Sequence, residues 1–399
     1  MGPHTIVVLG AGYAGLRCVF TLLHARQQGL LDFPLVLVER HKYHQLVTWL
    51  HEVACDAIPA ERARIPLTRL ISDDQVKLVH AEVTGLDPER RLVITDTEPV
   101  PYGRLVVALG SEPAWPPIPG LRDHALTLRW WDHAVQIQAH VCEQFAKAGR
   151  TRSRGARRRL ARIVIAGGGF TGCQLAGEFA HWVPVLADTH GVPLEDVHVV
   201  LVEAEDRLLP TWRRRIGKRA EQVLRRKGVD VRLGTSLEGA GPDGVVIGGE
   251  KVESTTLIWT GGIQAPSFLK AAGLPTGPQG RVHTDAFLRA SGFHDLYVAG
   301  DCALTVDGRG HMLPATAAQA LRQGEHVAKV LLAEAAGTPP PPYRARHLAM
   351  FVSLGGGDAV GDFFGVPLRG RAAGLIKDGV ERWYHNTITS ALASRGTEE

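Results

Sequence analysis

A strand, glycine loop, helix and strand follow one another twice in this chain of 399 residues, and this repeat constrains the fold most strongly. The first copy occupies residues 4–39. It contains the apolar run Ile6–Leu9, the loop GAGYAG at 10–15, an expected helix over residues 16–26, and a second apolar run that ends in Glu39. This order is typical of a parallel βαβ unit.

The second copy begins about 155 residues later, at the apolar run 163–166. The loop GGGFTG at 167–172, an expected helix over residues 173–185 and the apolar run 199–202 follow, and Glu203 comes directly after that run. The repeat therefore predicts an α/β fold with two Rossmann-like dinucleotide-binding domains. Short alternating segments between these units predict inserted antiparallel strands.

The glycines of the first loop suit a bound dinucleotide. Gly10 permits a tight turn, Gly12 lets the backbone approach a pyrophosphate, and Gly15 lets the helix pack close to the strand. The N-terminus of the helix offers N–H groups to phosphate, and Glu39 is placed to bind a ribose diol. A coincidental glycine turn is the alternative, which the flanking strand, helix and acid disfavour.

The second loop repeats the pattern with Gly167, Gly169 and Gly172. The carboxylate of Glu203 would repel a 2′-phosphate, so NADH is expected in preference to NADPH. Arg207 and the arginines at 213–215 are the counter-argument, although a solvated helix face explains them equally simply.

Three other apolar strands end at glycine, at residues 106–110, 258–262 and 298–301. In the last of them, Gly300 and Asp301 bring a carboxylate to the position where it can accept hydrogen bonds from ribityl hydroxyls, and a helix is expected from residue 313 onward. This segment is explained if the first dinucleotide is FAD, and the other two strands are expected where the chain crosses between the dinucleotide domains. Taken singly, each would be an ordinary strand-to-loop turn.

Composition excludes several other classes of protein. The chain has 45% hydrophobic residues and a net charge of +4, which fits a globular protein and is too weak for a chain-wide nucleic-acid surface. No apolar run is long enough to span a bilayer, and no secretory signal is recognisable, so a cytoplasmic location is expected. The five cysteines lack a CxxC pair, so neither a disulfide framework nor a metal site is predicted.

Two segments of unusual composition help to define the domain organisation. The arginine-rich run at 150–162 is expected to be a solvated loop, with lipid headgroups as the second interpretation and nucleic acid a distant third. The segment TPPPPY at 338–343 is expected to be a stiff connector. We therefore expect an FAD domain from residues 1–118 and 259–337, an NAD(P)H domain over 119–258, and a C-terminal appendage over 343–399.

The order of these motifs resembles the two-dinucleotide flavoproteins, and within them the type II, single-subunit NADH dehydrogenases. The resemblance covers about residues 4–335. It rests on GAGYAG, Glu39, VALGS (107–111), GGGFTG, Glu203, WTGG (259–262), VAGDCA (298–303) and PATAAQALRQG (314–324). It implies FAD in the first fold, NADH in the second, hydride transfer to the flavin, and reoxidation by a quinone at the membrane surface.

The resemblance also implies which residues contact the cofactors. For FAD they are Gly10, Gly12, Ala14, Gly15, Glu39, Arg40, Ala108, Gly110, Gly300, Asp301 and Ala317. For NADH they are Gly167, Gly169, Thr171, Gly172, Glu203, Gly261 and Gly262.

The chain departs from the family where quinone chemistry is expected. Gln174 stands where the family has a glutamate, whereas Glu178 on the same expected helix is kept. The two family glutamines of the later helix align with Ala318 and Arg322, while Gln319 and Gln323 lie one step along and share a helix face. The candidate catalytic residues are Gln174, Glu178, Gln319 and Gln323. Histidines 41, 44 and 51 are further candidates for proton transfer, with a solvated or packed role as the alternative.

The C-terminal region contains an expected amphipathic helix over 368–392. Its apolar face carries Leu375, Val380 and Trp383, and its polar face carries Lys377 and Arg382. We expect contact with a membrane surface, peripheral on the inner face of the cell membrane, and a packed core stripe or a homodimer contact is the alternative.

The function expected from these residues is transfer of a hydride from NADH, through FAD, to a quinone. Two alternatives remain open. One is a soluble NADH-dependent reductase of a protein electron carrier, which the exchanges at Gln174, Ala318 and Arg322 favour. The other is a flavin-bound NADH sensor with slow turnover.

Overall fold

A computed structural model describes residues 4–30, 32–72, 74–307, 310–345 and 349–390, without the side chains of 389 and 390. Its helices are α1 Tyr13–Gln27, α2 Leu50–Ala54, α3 Leu121–His124, α4 Trp131–Arg150, α5 Arg154–Leu160, α6 Phe170–His190, α7 Arg214–Arg226, α8 Phe268–Ala271, α9 Ala317–Ala335 and α10 Gly370–Ser390.

The strands are numbered in chain order. They are β1 Ile6–Leu9, β2 Leu35–Glu39, β3 Tyr43–Gln45, β4 Arg64–Pro66, β5 Lys77–His80, β6 Val83–Asp87, β7 Leu92–Thr95, β8 Val100–Pro101, β9 Arg104–Val107, β10 Glu112–Pro113, β11 Leu126–Thr127, β12 Arg162–Ala166, β13 His198–Val202, β14 Asp230–Arg232, β15 Leu237–Gly241, β16 Gly244–Ile247, β17 Glu250–Glu253, β18 Thr256–Trp259, β19 Ile263–Gln264, β20 Val282–His283, β21 Leu296–Val298, β22 Ala303–Leu304, β23 Met350–Ser353, β24 Ala359–Phe363 and β25 Val366–Arg369.

The first large sheet has five parallel strands in the order β21-β9-β1-β2-β5. Its central strands are buried on both faces, as their continuous apolar sequences require. Leu9 is in register with Val38 and Val107, so the chain leaves all three strands at one edge. That register brings the first glycine loop beside Glu39 and Ala108.

The second large sheet repeats this arrangement with five parallel strands in the order β11-β18-β12-β13-β14. Ala166 is in register with Val202 and Trp259. The second glycine loop therefore lies beside Glu203 and the segment that follows Trp259. The prediction of two Rossmann-like units is confirmed.

Antiparallel strands extend both units, as expected. One three-stranded sheet is β6-β7-β8 and another is β15-β16-β17. A short pair, β10 with β19, joins the two places where the chain crosses between the large sheets, and the Gln264 amide donates to the Glu112 carboxylate across it.

The helices after the glycine loops begin earlier than the sequence pattern predicted. α1 begins at Tyr13 and α6 at Phe170, because the last residues of each glycine loop already form the first helical turn. α6 also continues past the expected end at residue 185 to His190, where Gly191 takes the left-handed conformation that terminates helices.

The arginine-rich run is a helix and not the solvated loop that the sequence suggested. α5 places the guanidinium groups of Arg154, Arg157 and Arg158 within 2.6–3.0 Å of the Asp196 carboxylate. The Asp196 side chain is buried, so the arginines compensate a charge that would otherwise lack solvation.

The C-terminal region forms the sheet β23-β24-β25 followed by α10. The expected helix over 368–392 was placed two residues too early, because Leu368 lies in β25; residues 391 and 392 lie outside the described ranges. Tyr343, at the end of the proline segment, donates its backbone N–H to the Ala286 carbonyl, which anchors the connector.

The faces of α10 are arranged unusually. Lys377 and Glu381 lie on the face that packs against the protein, whereas Leu375, Val380 and Trp383 are 67%, 52% and 65% exposed. The expectation that Lys377 belongs to a solvated polar face is wrong, because its ammonium group points inward and pairs with the largely buried carboxylates of Glu52 and Glu381. Among the described residues, no helix has the length and apolar character needed to cross a bilayer.

Candidate functional site

The first glycine loop depends on two of its glycines for internal packing. Gly10 has a φ of +94°, and a Cβ added there would lie 2.5 Å from the carbonyl oxygen of Ala108. A Cβ added to Gly15 would lie 1.8 Å from the carbonyl oxygen of Gly10. Glycine is therefore needed at both positions whether or not a ligand binds.

Gly12 has a different environment. Its backbone is extended, and no atom lies within 4 Å of the position where its Cβ would stand. This open space adjoins the N-terminus of α1, in whose first turn Ala14 is buried. The space and the helix N-terminus together fit a dinucleotide pyrophosphate.

Glu39 organises the same loop. Its carboxylate accepts hydrogen bonds from the backbone N–H of Ala11 at 2.7 Å and of His41 at 2.9 Å. A carboxylate has about four acceptor positions, so acceptor positions remain for a ribose diol. Beside it, Arg40 stacks over the Trp130 ring at 4.3 Å, and both line a cavity of about 390 Å³. This cavity fits the adenosine end of a dinucleotide.

The second loop reproduces these contacts. Gly167 has a φ of +116°, and a Cβ on Gly172 would lie 1.8 Å from the carbonyl oxygen of Gly167. Glu203 accepts the N–H of Gly168 at 2.6 Å and that of Glu205 at 2.9 Å. No atom lies within 4 Å of a Cβ on Gly169, so this loop has the same open space.

The other residues assigned to the nucleotide side surround this loop. Thr171 lies in the first turn of α6. Gly261 follows β18, and a Cβ there would lie 2.2 Å from the Trp259 ring. Gly262 accepts the N–H of Ala114 at 3.0 Å.

Asp301 is held in place from two sides. Its Oδ2 accepts the Ser111 hydroxyl at 2.8 Å and pairs with the Arg129 guanidinium at 3.2 Å. Gly110 lies against that guanidinium, since a Cβ there would be 2.9 Å from Nη2. Arg129 was missed by the sequence analysis, and the adjacent pair of tryptophans at 130–131 is the only local signal that could have indicated it.

α9, whose N-terminus is expected to point toward a flavin, begins at Ala317, four residues after the expected start at residue 313. Gln323, six residues further along, is buried, and both ends of its amide are engaged: its oxygen accepts the Gly300 N–H at 2.6 Å and its nitrogen donates to Thr305 at 3.0 Å. Gln319 is also buried and accepts the Tyr343 hydroxyl at 3.1 Å. Gln323 thus fixes the Gly300 turn, whereas Gln319 binds the end of the proline segment.

Gln174 and Glu178 face a buried polar region between α2, α6 and the C-terminal segment. The Gln174 amide donates to His51 Nε2 at 3.4 Å, and the Glu178 carboxylate accepts the Ser353 hydroxyl at 2.9 Å. Burial raises the pKa of Glu178 and lowers that of His51 well below its usual value. His51 is therefore neutral at pH 7.

Lys377 is the centre of this region. Its ammonium group lies 2.8 Å from Glu381 and 3.4 Å from Glu52, and its side chain is only 6% exposed. Trp49 Nε1 also donates to Glu381, at 3.1 Å. We name these ionisable residues, Glu52, Lys377 and Glu381, the buried triad. The sequence analysis missed the triad, because its members are 325 and 4 residues apart in the chain.

The triad has shifted proton affinities. Burial raises the pKa of Glu381 to about 7 and also raises that of Glu52. Burial lowers the pKa of Lys377, but the two carboxylates outweigh this effect and hold it above the usual value. Glu381 is therefore the member of the triad whose pKa lies near neutral pH.

His41 and the five cysteines are the remaining residues with possible proton or thiol chemistry. His41 lies beside Tyr43 with stacked rings, and burial lowers its pKa. All five cysteines are free, and burial raises the pKa of the Cys18 and Cys302 thiols to about 12. The part of the chain described here has no group of histidine, cysteine or carboxylate residues suited to a metal ion.

The sequence of residues 4–324 matches the family model of the pyridine nucleotide-disulphide oxidoreductases. The type II NADH:quinone oxidoreductases of Staphylococcus saprophyticus and Staphylococcus aureus are each 30% identical over 377 residues, which cover 93% of this chain and 92% of theirs.

Solved structures share the fold. NDH2 from Plasmodium falciparum, solved with NADH, superposes with a TM-score of 0.85 at 14% identity and covers 98% of this chain and 97% of its own. The sulfide:quinone oxidoreductase of Aquifex aeolicus gives a TM-score of 0.79 at 16% identity, covering 97% and 91%. With two glycine loops in this fold and a match over most of its length, the chain belongs to the pyridine nucleotide-disulphide oxidoreductase family.

Proposed function

We propose that this chain is a type II NADH:quinone oxidoreductase that uses FAD. The observation that carries the proposal is the pair of equivalent loops, each with an acidic residue at the ribose position, in a chain similar to type II enzymes over 93% of its length. FAD, when bound, supplies the redox chemistry by taking two electrons from NADH and passing them to the acceptor.

In this proposal the first loop holds FAD. Glu39 binds the adenosine ribose, Gly12 leaves room for the pyrophosphate, and Asp301 accepts hydrogen bonds from the ribityl chain. Ser111 and Arg129 support this role because they fix one carboxylate oxygen of Asp301 and leave the other available.

The second loop holds NADH. Glu203 occupies the ribose position and Glu205 follows it, so a 2′-phosphate would meet two negative charges, whereas Asp206 is paired with Arg214 at 2.7 Å. Arg207 does not offset them, because its guanidinium donates to the carbonyl of Pro210 within its own loop. We therefore infer a preference for NADH over NADPH.

Reduction of a quinone to a quinol consumes protons as well as electrons. The buried triad lies next to the position where the family has a glutamate, since Gln174 of α6 contacts His51 and His51 Nε2 lies 3.7 Å from Glu52. Gln174 has no titratable proton, so the triad and not Gln174 holds the proton for the acceptor. This assignment accounts for the exchange of glutamate for glutamine at position 174.

The exposed face of α10 supports contact with a membrane surface, where quinones reside. Leu375, Val380 and Trp383 are exposed on this helix, and Arg371 and Arg382 accompany them. The β24–β25 turn adds Phe364, which is 69% exposed. Apolar side chains among arginines suit the interface of an anionic bilayer.

The function is tested with the purified holoprotein under anaerobic conditions. NADH should bleach the flavin absorbance, and a soluble short-chain quinone should restore it on the turnover timescale. Bleaching without reoxidation by quinone would reject the quinone assignment and favour a protein carrier as acceptor, or an NADH sensor if no acceptor restores the absorbance. Failure of NADH to bleach the flavin would reject the NADH half as well.

A further inference from the structure

Ala11, in the middle of the first glycine loop, is held by both of its backbone polar groups. Its N–H donates to Glu39 at 2.7 Å, and its carbonyl oxygen lies 2.8 Å from Nδ1 of His44. The His44 side chain is completely buried. The loop that adjoins the open space at Gly12 is thus fixed from β2 on one side and from β3 on the other.

The direction of these hydrogen bonds follows from chemistry. A carbonyl oxygen only accepts, so Nδ1 of His44 carries the proton and donates it to Ala11. Burial lowers the pKa of His44 to about 4, so the ring is neutral at pH 7 and Nε2 has a free lone pair. The Tyr384 hydroxyl lies 3.3 Å from Nε2 and is therefore the donor.

Tyr384 belongs to α10, 340 residues from His44 in the chain. Its ring also packs on Tyr13, the first residue of α1, with centroids 4.8 Å apart. The Tyr13 ring in turn meets the edge of His44 at 5.3 Å, and its hydroxyl lies 3.3 Å from that of Thr48. Three aromatic rings thus connect the C-terminal helix to the glycine loop.

The buried triad fixes the same helix one turn earlier. Lys377 and Glu381 precede Tyr384 on the inward face of α10 and bind Glu52 and Trp49. These contacts hold α10 beside α2, in the position that brings the Tyr384 hydroxyl within 3.3 Å of His44 Nε2. The contact between Tyr384 and His44 is therefore one of several polar contacts that the inward face of α10 makes with the protein.

We infer that His44 and Tyr384 are positioning residues for FAD, and that the C-terminal helix completes the FAD site. The inference rests on the proposed function of the first loop. A loop with both polar groups of Ala11 fixed loses little conformational freedom when a pyrophosphate binds to its N–H groups. Removal of the Tyr384 hydroxyl leaves Nε2 of the buried His44 without this donor, which weakens the restraint on the ring and on the loop that it holds.

The test compares the FAD dissociation constant of full-length variants. Tyr384→Phe keeps the aromatic packing and removes the hydroxyl, so FAD binding should weaken about two- to tenfold. His44→Leu should weaken it further, and His44→Asn, which keeps a donor for the Ala11 carbonyl, should recover part of the loss. Tyr102→Phe is the matched control. This buried tyrosine precedes β9, at the end of the strands opposite to the glycine loop.

NADH affinity of the second loop is the readout that separates positioning from a general structural defect. It should be unchanged in all four variants, since the second loop has its own contacts. Equal FAD affinity in wild type, Tyr384→Phe and His44→Leu would overturn the inference alone. Parallel loss of FAD and NADH binding would also overturn it, whereas a wild-type chain that binds no FAD would overturn the proposed function together with it.

Discussion

Glu39 and Glu203 make the same two backbone hydrogen bonds in two different halves of the protein. Each carboxylate accepts the N–H of the residue after the first glycine of its loop, at 2.7 and 2.6 Å, and the N–H two residues further along its own strand end, at 2.9 Å in both cases. The two glycine loops are therefore built alike and separately. Substitutions at one site should leave the other intact.

Two glycines of the first loop should respond differently to alanine. Gly12→Ala places a methyl group in open space, so stability should stay within about 1 kcal/mol of wild type, while FAD binding weakens by about 1–3 kcal/mol, or five- to 150-fold. Gly15→Ala should prevent correct folding, because its methyl group would overlap the carbonyl of Gly10. Thermal unfolding and FAD titration measure both effects. A Gly12→Ala protein with wild-type FAD affinity would mean that the pyrophosphate lies elsewhere.

Glu203→Ala should weaken discrimination between the two nicotinamide dinucleotides. The variant loses charge-assisted hydrogen bonds to the ribose, worth about 1.5–3 kcal/mol, so the ratio of kcat/KM for NADH to that for NADPH should fall about tenfold or more. Steady-state kinetics with both nucleotides give the ratio, and FAD content serves as the internal control. An unaltered ratio would show that another residue determines the preference.

Lys377→Met should be strongly destabilising. It leaves the carboxylates of Glu52 and Glu381 buried without their cation, at a cost of about 3–5 kcal/mol. Lys329→Met is the matched control, since Lys329 pairs with Glu325 on the surface and its loss should cost less than about 1 kcal/mol. Denaturant unfolding at pH 7.5 gives both values. Equal stabilities of the two variants would contradict the burial of Lys377.

Glu381 should make stability depend on pH in a defined direction. Its pKa is about 7 in the folded protein, against an ordinary value of 4.5, so between these pH values the folded state binds more protons than the unfolded state. The contribution of Glu381 is therefore complete below about pH 4.5 and is lost as pH rises through 7. Relative to wild type, Glu381→Gln should gain about 1–3 kcal/mol between pH 5 and pH 8. Urea unfolding at both pH values tests this, and an identical pH dependence in the two proteins would exclude it.

The exposed face of α10 should bind anionic vesicles. Replacing Leu375 and Trp383 together by serine removes two apolar side chains from the interface, and binding should weaken about tenfold or more. Leu194→Ser is the matched control, because Leu194 is also an exposed apolar residue, at 62%, but lies outside α10. Vesicle sedimentation measures the binding. If the double variant binds like wild type, or if neither protein binds, a second copy of the chain becomes the better candidate for this face.

The nucleotide loops were predictable because their chemistry is local. A glycine loop between a buried strand and a helix, with an acid at the end of the next strand, has few alternative structures, and the register of parallel strands brings Gly10 to Glu39 and Gly167 to Glu203. The sequence alone thus determined the fold class, the two repeated units and the position of each acidic residue.

The C-terminal helix could not be predicted in the same way. Its periodicity separates Lys377 from Leu375 and Trp383, but periodicity does not state which face meets the protein. Only the tertiary structure decided this, because Glu52, 325 residues earlier in the chain, supplies a carboxylate that an ammonium group satisfies and an apolar side chain does not. Tyr384 and His44 are likewise 340 residues apart, so the contact between this helix and the first glycine loop exists only in the folded chain.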